Sequence, residues 1–259
     1  MKRFWDAREA LAGRLAAKRL LVTLDFDGTL APLARTPAAA RLKPEFRSAL
    51  RSLAGQPGVS VFILSGRAMR DVRALVGLKK LYYGGNHGIE AAGPGFEYKD
   101  PRSGKARDVL AALAAGLLAR FPPDTGALIE DKLHSVSVHY RNLRKDLSAA
   151  FFRHMKEVMS SGRGLRWRRG HKVFEALPPR SSDKGGAALR LRARLGRPLT
   201  VAVGDDLTDE DMFLALKGRG ITVRVGRKRG SHAGYYLERQ AEVLRLLRFL
   251  VRVRKGGIR

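Results

Sequence analysis

The sequence predicts an α/β fold, in which a Rossmann-like parallel-sheet core carries an inserted α/β segment. Three short runs rich in Val, Ile and Leu each end abruptly at polar residues, as buried strands of a parallel sheet do. Helical stretches lie between these runs, which is the βαβ pattern. The middle of the chain instead combines helices with hairpin-like strand pairs, so we interpret it as an insertion between two halves of the core.

The apolar runs and the helices between them define the core. We predict strands at Leu20–Leu24, Val59–Leu64 and Leu199–Val203, and helices at Pro44–Leu53 and Met69–Leu75. A helix over Phe4–Ala17 is interpreted as a packing element, with a partner-binding surface as the alternative. Ligands of open α/β sheets bind outside the carboxyl ends of the strands. The polar residues just past the three runs are therefore the first site candidates.

The insertion is predicted to repeat a unit of one helix and two strands. Helices are expected at Lys105–Phe121 and Leu147–Met159, and strand pairs at Gly126–Asp131 with His134–Tyr140 and at Gly164–Arg168 with Lys172–Ala176. Turn residues at Gly93-Pro94-Gly95 and Pro178-Pro179 bracket this segment. We therefore expect a core over residues 1–103 and 180–259 and a cap domain over residues 104–179.

Composition excludes several classes of protein. The chain has no cysteine, which excludes disulfides, thiolate catalysis and thiolate metal sites. Residues 1–19 mix charges with short apolar pairs, unlike a signal peptide, and no apolar run approaches the roughly 20 residues that span a bilayer. We expect a cytoplasmic monomer without a membrane partner.

The balance of charge is strongly basic, with 51 Lys and Arg against 24 Asp and Glu and a net charge of +27. Such a charge concentrates anionic ligands near the surface. The basic residues are spread along the whole chain, and neither aromatic interleaving nor zinc spacing indicates a nucleic-acid module. We therefore favour a compositional bias and a small phosphorylated or acidic substrate over a nucleic-acid function.

The string Asp25-Phe26-Asp27-Gly28-Thr29 directly follows the first predicted strand. Residues two apart share a face of an extended chain, so Asp25 and Asp27 can face one cavity. Carboxylates that close repel each other unless a cation lies between them, and oxygen ligands suit Mg²⁺. Asp25 can then be a nucleophile and Asp27 a general acid and base, while Thr29 can offer its hydroxyl to a phosphate. The alternative is a solvated Asp-Gly turn.

Two further strings have phosphate-binding character. Ser65-Gly66-Arg67 follows the second strand, where a hydroxyl and free N–H groups can hold a phosphate oxygen; the alternative is a helix N-cap at Ser65. Asp183-Lys184-Gly185 begins an Ala- and Leu-rich helix. Lys184 can neutralise a nucleophile and a transferring phosphoryl group, although an N-cap Asp followed by a surface Lys is also a common pattern.

A carboxylate cluster, Asp205-Asp206-Leu207-Thr208-Asp209-Glu210-Asp211, follows the third strand in a chain short of acids. Such a cluster needs a cation, so we expect Asp205 to be a metal ligand and Asp209 to support the metal from behind or through water, with Asp206 as a further candidate. The last three acids have an alternative role, because the positive end of a helix attracts carboxylates to its first turn.

In this order the four strings resemble the haloacid dehalogenase superfamily, and the insertion is similar to its larger type of cap. Within that superfamily the chain resembles the trehalose-6-phosphate phosphatases over roughly Leu20 to Leu250. The matching strings are Leu24–Pro32, Leu64–Arg67, Gly85–Glu90, His139–Arg141, Asp183–Gly185 and Gly204–Phe213. The resemblance implies Mg²⁺-dependent hydrolysis of trehalose 6-phosphate to trehalose and phosphate through an aspartyl phosphate.

The resemblance also implies roles for single residues. Asp25 would be nucleophile and metal ligand, Asp27 would act as acid and base and bind the metal through its carbonyl, and Asp205 would complete the metal site. Ser65 and Lys184 would hold phosphate. The sugar would be bound by Glu130, Lys132, His139, Arg141, Lys172 and Glu175 in the cap, and by Arg67, Asn86 and His87 in the core.

The cap residues have alternatives of their own. His139 and Tyr140 alternate along a strand, so one of them can face the sheet interior, and Glu130 with Lys132 can be a solvated hairpin pair. His171 separates Gly170 from Lys172, which departs from the Gly-Lys-x-x-x-Glu pattern of the family and leaves the role of Lys172 open.

Three alternative functions stay open. The same chemistry can act on another sugar phosphate, such as sucrose 6-phosphate or mannosyl-3-phosphoglycerate, because only contacts in the cap discriminate between such substrates and sugar epimers differ by single hydroxyls. A polyanion-binding protein on the same fold would have no need of Asp25, Asp27 and Asp205. A regulatory module of a larger synthase assembly is the third.

Overall fold

The computed structural model describes residues 1–16, 19–34, 36–161, 164–170 and 172–257, so the predicted helix end at Ala17 and the intervening His171 lie outside the described residues. The described chain forms two compact units. The first combines Met1–Tyr98 with Ser182–Arg259, and the second is Lys99–Ser181. The second unit begins earlier and ends slightly later than the segment that the sequence marks as an insertion.

The helices and strands follow one another in a regular alternation. In chain order they are β1 (Lys2–Arg3), α1 (Phe4–Leu15), β2 (Leu20–Leu24), α2 (Pro44–Ala54), β3 (Val59–Leu64), α3 (Met69–Val76), β4 (Tyr82–Gly85), β5 (Glu90–Gly93), β6 (Phe96–Lys99), α4 (Pro101–Lys105), α5 (Arg107–Arg120), β7 (Leu128–Asp131), β8 (Val136–His139), α6 (Ser148–Ser160), β9 (Arg166–Gly170), β10 (Val173–Leu177), α7 (Lys184–Arg194), β11 (Leu199–Gly204), α8 (Thr208–Ala215), β12 (Gly220–Val225), β13 (Tyr235–Leu237) and α9 (Ala241–Arg254).

The sheet of the first unit has the strand order β1-β13-β12-β11-β2-β3-β4-β5-β6. Along this order, all neighbouring strands from β1 through β13, β12, β11, β2 and β3 to β4 pair in parallel. Strand β5 then pairs with β4 in the antiparallel direction. The predicted parallel core, with strands β2, β3 and β11 and helices α2 and α3, is confirmed. Because β2 lies between β11 and β3, the carboxyl ends of the three strands meet at one edge.

Helices cover both faces of this sheet, and the alternation within β2 shows why its sequence is apolar throughout. Leu20, Val22 and Leu24 point into a core shared with α1, α2, α3 and α9, whereas Leu21 points into a core shared with α7 and α8. Each of these four side chains is at most 1% exposed. Burial of one such side chain stabilises the fold by about 1.5–3 kcal/mol, so strand register is strongly fixed and with it the place of the residues that follow.

The second unit is a four-stranded antiparallel sheet of order β7-β8-β10-β9. Helices α5 and α6 pack on one face, where Val136, Val138 and Phe174 contact buried residues such as Leu110 and Phe151. The predicted repeat of a helix and two strands is therefore present twice. None of the helices in the described part of the chain combines the length and the apolar character that a membrane crossing requires.

Candidate active site

The loop after β2 delivers Asp25 and Thr29 to the carboxyl edge of the sheet. The Asp25 N–H continues the ladder by donating to the Val203 carbonyl (3.0 Å). Gly28 then turns the chain with φ +85°, and a Cβ at this position would clash with the carboxylate of Asp205. The Thr29 hydroxyl donates to Asp205 Oδ1 (3.0 Å). Gly28 and Thr29 therefore bring the loop after β2 close to the loop that carries Asp205. Asp25 is only 4% exposed, so it is not part of a solvated turn.

Three aspartates and one lysine form the centre of the site. Carboxylate oxygens of Asp25, Asp205 and Asp209 all lie within 4.8 Å of one another. The Lys184 ammonium, at the start of α7, donates to Asp25 Oδ1 (2.6 Å) and Asp209 Oδ1 (2.8 Å). Lys184 is only 2% exposed, so it is not the surface lysine of the common N-cap pattern. The preceding Asp183 does cap α7, accepting from the Gly186 N–H (2.8 Å).

Burial and mutual repulsion shift the pKa values of the groups in this cluster. Burial raises the pKa of Asp25 well above its usual value, opposed by Lys184 and reinforced by Asp209 and Asp205. Burial and the neighbouring Asp209 raise the pKa of Asp205 to about 7. Burial opposes the charge of Lys184, but Asp209 and Asp25 outweigh it and hold the Lys184 pKa above its usual value. The carboxylates therefore have too little positive charge nearby to favour their ionised form. Lys184, in contrast, has enough negative charge nearby to favour its protonated form.

The donor set fits a divalent cation. Three carboxylates and the Lys184 ammonium leave a formal charge of −2 in a site lined by oxygen atoms. Asp25 uses Oδ1 for Lys184 and Asp205 uses Oδ1 for Thr29, which leaves the second oxygen of each available. Divalent ions with oxygen preference bind such carboxylates and would lower the raised pKa values of both groups.

Asp209 has a different place in the cluster from the other two carboxylates. It is fully buried, its Oδ1 accepts from Lys184, and its Oδ2 accepts from the backbone N–H groups of Asp205 (2.9 Å) and Asp206 (3.0 Å). Both of its oxygens are therefore engaged by protein donors. We interpret Asp209 as the residue that positions Lys184 and the loop carrying Asp205.

A buried arginine that the sequence analysis missed holds the same loop from the other side. Arg224 on β12 is 7% exposed and donates to the carbonyl oxygens of Asp205 and Asp206 and to Glu210 Oε1 (2.8 Å). Glu210 Oε2 in turn accepts from the His232 N–H (2.7 Å). Arg224 could have been identified from the sequence, because it is a charged residue within the otherwise apolar string of β12. The Asp206 side chain is partly exposed, and the Asp206 backbone N–H donates to Asp209 Oδ2.

Asp27 is bound by Arg67 through a two-point ion pair. Arg67 Nη2 donates to Asp27 Oδ1 and Arg67 Nε to Asp27 Oδ2, both at 2.7 Å. Arg67 also donates to the Pro37 carbonyl (2.9 Å) and lies over the Phe26 ring. Paired N–H···O bonds of this kind fix orientation as well as distance. The structure therefore brings Arg67 to the proposed acid–base residue, a contact that the sequence analysis did not foresee.

The loops after β3 and β4 are tied to each other. Ser65 is 1% exposed and its Oγ accepts from the Arg67 N–H (3.1 Å), while its carbonyl accepts from His87 N. Ser65 does not cap a helix, since α3 begins at Met69. A Cβ at Gly66 would clash with the His87 ring, so only glycine allows this approach.

Asn86 and His87 both have positive backbone φ angles, 50° and 58°, which residues other than glycine rarely adopt. The Asn86 amide donates to Glu90 Oε1 (2.8 Å), which also accepts from Met69 N (2.9 Å). Asn86 is fully buried, and His87 is 7% exposed. Glu90, which sequence reasoning did not single out, thus fixes the loop, and sugar contact by Asn86 and His87 stays a prediction.

The second unit has a polar cluster on the sheet face away from its helices. His139 Nε2 lies 2.6 Å from Glu130 Oε2, and Glu175 Oε1 accepts from Lys132 Nζ (3.0 Å) and Ser137 Oγ (3.2 Å). Cross-strand registers pair Glu130 with Ser137 and Ser137 with Glu175, so these three residues share one face. Four of the predicted sugar-binding residues are therefore brought together, with Ser137 as an addition.

The remaining predicted cap residues lie outside this cluster. Arg141 is exposed after β8. Lys172 has φ +61° and its ammonium lies over the Tyr140 ring at 5.8 Å. Tyr140 packs against Phe151 and Phe174 on the helix side, so it is Tyr140 rather than His139 that faces the interior.

The comparisons with known proteins agree with this arrangement. A family model described as trehalose-phosphatase matches residues 23–240. The protein "Probable trehalose-phosphate phosphatase 3" of Oryza sativa subsp. japonica is 32% identical over 272 residues, 96% of this chain and 74% of that protein. The C. albicans trehalose-6-phosphate phosphatase C-terminal domain has a TM-score of 0.80 at 23% identity, covering 94% of this chain and 96% of that one, which shows a shared fold.

A longer relative has the same region inside a larger protein. An uncharacterized glycosyl hydrolase of Mycobacterium tuberculosis (strain CDC 1551 / Oshkosh) is 40% identical over 224 residues, which are 81% of this chain. The chain spans only 16% of the length of that protein. Because the family model covers most of the chain, including every aspartate of the central cluster, the chain belongs to the trehalose-phosphatase family.

Proposed function

We propose that this chain is a Mg²⁺-dependent phosphatase that hydrolyses trehalose 6-phosphate to trehalose and phosphate through a phosphorylated Asp25. The observation that carries this proposal is the state of Asp25. Its carboxylate is buried at the end of β2, one oxygen is bound by Lys184, and the other is available. A carboxylate oriented by a cation and shielded from water is suited to nucleophilic attack.

In the first step the Asp25 carboxylate attacks phosphorus in line, and the bond between phosphorus and the sugar oxygen breaks. Asp27 gives its proton to the leaving oxygen, so the sugar departs as an alcohol. Lys184 stays bound to Asp25 and neutralises charge on the phosphoryl group, together with the Ser65 hydroxyl. Arg67 occupies both oxygens of Asp27, so one of its two hydrogen bonds has to give way to the sugar oxygen while the other keeps the Asp27 carboxyl group oriented.

In the second step water attacks the phosphorus of the aspartyl phosphate, and Asp27 takes up the water proton. The bond between phosphorus and Asp25 breaks, which releases phosphate and restores the carboxylate. Mg²⁺, held by carboxylate oxygens of Asp25 and Asp205 and by the Asp27 carbonyl, would supply positive charge for the phosphoryl oxygens. Asp209 and Arg224 keep the Asp205 loop in place throughout.

The substrate assignment rests on the family and on the polar face of the second unit. We propose that Glu130, Lys132, His139 and Glu175 bind sugar hydroxyls, since a disaccharide needs several polar partners and one carboxylate can bridge two hydroxyls. The net charge of +27 favours approach of a phosphorylated substrate. The same charge opposes self-association, so we propose a monomer.

A panel of phosphate esters tests this proposal. Phosphate release would be measured with Mg²⁺ or EDTA on trehalose 6-phosphate, glucose 6-phosphate, sucrose 6-phosphate and mannosyl-3-phosphoglycerate. We expect Mg²⁺-dependent turnover that strongly prefers trehalose 6-phosphate. Preference for another ester would keep the chemistry and reject the substrate, and no turnover of any ester would reject the proposed activity.

A further inference from the structure

A groove of about 670 Å³ runs between α2 and α9 on the helix-covered face of the first unit. Its apolar lining includes Ala49 of α2 and Leu244 and Val251 of α9. Leu244 and Val251 are partly buried and pack against the core cluster that contains Ala49, Phe46 and Leu250. None of the residues that line the groove belongs to the central cluster of Asp25, Asp205 and Asp209.

The α9 wall of the groove is basic. Arg245, Arg248 and Arg252 are spaced i, i+3 and i+7, so they form one row about 10 Å long at 1.5 Å per residue. The Arg245 guanidinium lies over the Trp5 ring at 4.0 Å. Arg248 and Arg252 are exposed, and neither has an ion-pair partner among the carboxylates that the structure describes. The row thus presents uncompensated positive charge beside an apolar floor.

The opposite wall is formed by polar residues of α2, one of which, Glu45, is acidic. Ser48 and Ser52 lie one turn apart on α2 and line the groove across from the arginines. The groove is therefore apolar at its base, cationic along one side and able to form hydrogen bonds along the other. An amphipathic helix with apolar residues on one face and Asp or Glu at i, i+3 and i+7 has the complementary pattern.

We propose that this groove binds an acidic amphipathic helix of a partner protein. Carboxylates of the partner would pair with Arg248 and Arg252, while its apolar face would cover Leu244 and Val251. The proposal is independent of the phosphatase reaction, because none of these residues belongs to the active site. It also gives a role to part of the positive charge that substrate binding does not require.

Two other occupants fit the groove less well. A second copy of the chain would bring together two surfaces of a protein with net charge +27, which repel. Single-stranded nucleic acid binds through aromatic platforms on which bases stack, and none of the groove residues, all of them described, is aromatic. The aliphatic floor favours a helix with Leu-like anchors.

The test uses a fluorescein-labelled helical peptide of about 20 residues, with Leu and Ala on one face and Glu spaced i, i+3 and i+7 on the other. Anisotropy is measured against the full chain at about 0.15 M ionic strength. Comparison ligands are a scrambled peptide of identical composition and an oligouridylate of similar charge. The groove variant is Arg248→Glu/Arg252→Glu, and the matched control is Arg153→Glu/Lys156→Glu, two exposed residues of α6 with the same change of charge.

We expect saturable binding of the amphipathic peptide that weakens about tenfold or more in the groove variant, because each reversal turns an attraction into a repulsion. The α6 variant should change affinity by less than about twofold, and the scrambled peptide should bind more weakly than the ordered one. Unchanged thermal unfolding and phosphate release would show that the groove variant is folded.

Three results would overturn the proposal. Equal weakening in the groove and α6 variants would mean non-specific attraction to a basic protein. Absence of saturable peptide binding would mean that the groove does not accept an acidic helix. Tighter binding of oligouridylate that depends on Arg248 and Arg252 would assign the groove to nucleic acid instead.

Discussion

Replacing Lys184 with Met would remove the ammonium group that lies between Asp25 and Asp209 while keeping an unbranched side chain of similar size. Lys184 is 2% exposed and donates two charge-assisted hydrogen bonds, at 2.6 and 2.8 Å. Bonds of this type contribute about 1.5–3 kcal/mol each, and removing one partner of a buried ion pair costs about 3–5 kcal/mol. We therefore expect the free energy of unfolding to fall by about 3–5 kcal/mol in EDTA.

The assay should report the first unit alone, because unfolding of two units need not be a single transition. Trp5 lies in the first unit and Trp167 in the second, so a Trp167→Phe background makes tryptophan fluorescence specific for the first. Urea unfolding of Lys184→Met is compared with that of Lys80→Met, an exposed lysine of the first unit. In Mg²⁺ the loss of stability should be smaller than in EDTA, because the metal offsets part of the negative charge.

Activity provides the second readout for Lys184→Met. We expect phosphate release to fall by at least about 100-fold, since charge on the transferring phosphoryl group would no longer be neutralised from this side. A loss of stability below about 1 kcal/mol in EDTA, similar to that of Lys80→Met, would refute the electrostatic account of the cluster.

Three further predictions concern other parts of the account. Arg67→Lys keeps the positive charge but cannot make both hydrogen bonds to Asp27. In steady-state kinetics kcat should therefore fall about 10- to 100-fold with little change in KM. An unchanged kcat would mean that the ion pair does not orient Asp27. Because burial raises the pKa of Asp205 to about 7, the folded chain without metal holds a proton that the unfolded chain releases near pH 4. Stability that is present at low pH is then lost as the pH rises through 7, so Tm in EDTA should fall between about pH 4 and 7, and Asp205→Asn should flatten this slope. A Tm slope equal in the two proteins would contradict this origin. Glu175→Gln should raise KM for trehalose 6-phosphate about tenfold and leave turnover of an aryl phosphate unchanged, because it weakens the pair with Lys132 in the second unit; equal losses on both substrates would speak against a sugar-binding role.

The core was predictable because its strands carry their signal locally. Runs such as Val59–Leu64 are apolar throughout, and parallel strands buried on both faces require that pattern. The first site candidates were predicted by the same logic, since polar residues that directly follow such runs must lie at the carboxyl edge of the sheet. Predicting Asp25, Ser65 and Asp205 as site candidates therefore required no knowledge of contacts between distant parts of the chain.

The contacts that orient the site were not predictable in this way. Glu210 and Arg224 are 14 residues apart and become partners only when β12 pairs beside β11. Arg67 meets Asp27 across 40 residues, and the sequence suggested a substrate contact for it instead. Thr29 was expected to face phosphate, whereas its hydroxyl donates to Asp205. Such pairings depend on sheet order, which periodicity does not encode.

Sheet order also limited the prediction of the fold itself. The antiparallel pair of β4 and β5 consists of short strands rich in glycine and alanine, without the apolar run that marked β2. In the second unit, by contrast, alternation of Val136 and Val138 with Ser137 and His139 gave both the strand and its two faces. What remained hidden there was the partner of each polar residue.

The most direct test of the proposed mechanism is to trap the phosphorylated enzyme. The protein would be mixed with trehalose 6-phosphate and Mg²⁺, quenched with acid during turnover, digested and analysed by mass spectrometry, with Asp25→Asn as control. The account predicts one phosphoryl group on the peptide that contains Asp25, removed by hydroxylamine as expected for an acyl phosphate, and no turnover by Asp25→Asn. Phosphate release by Asp25→Asn at a rate near that of the unmodified chain would contradict it.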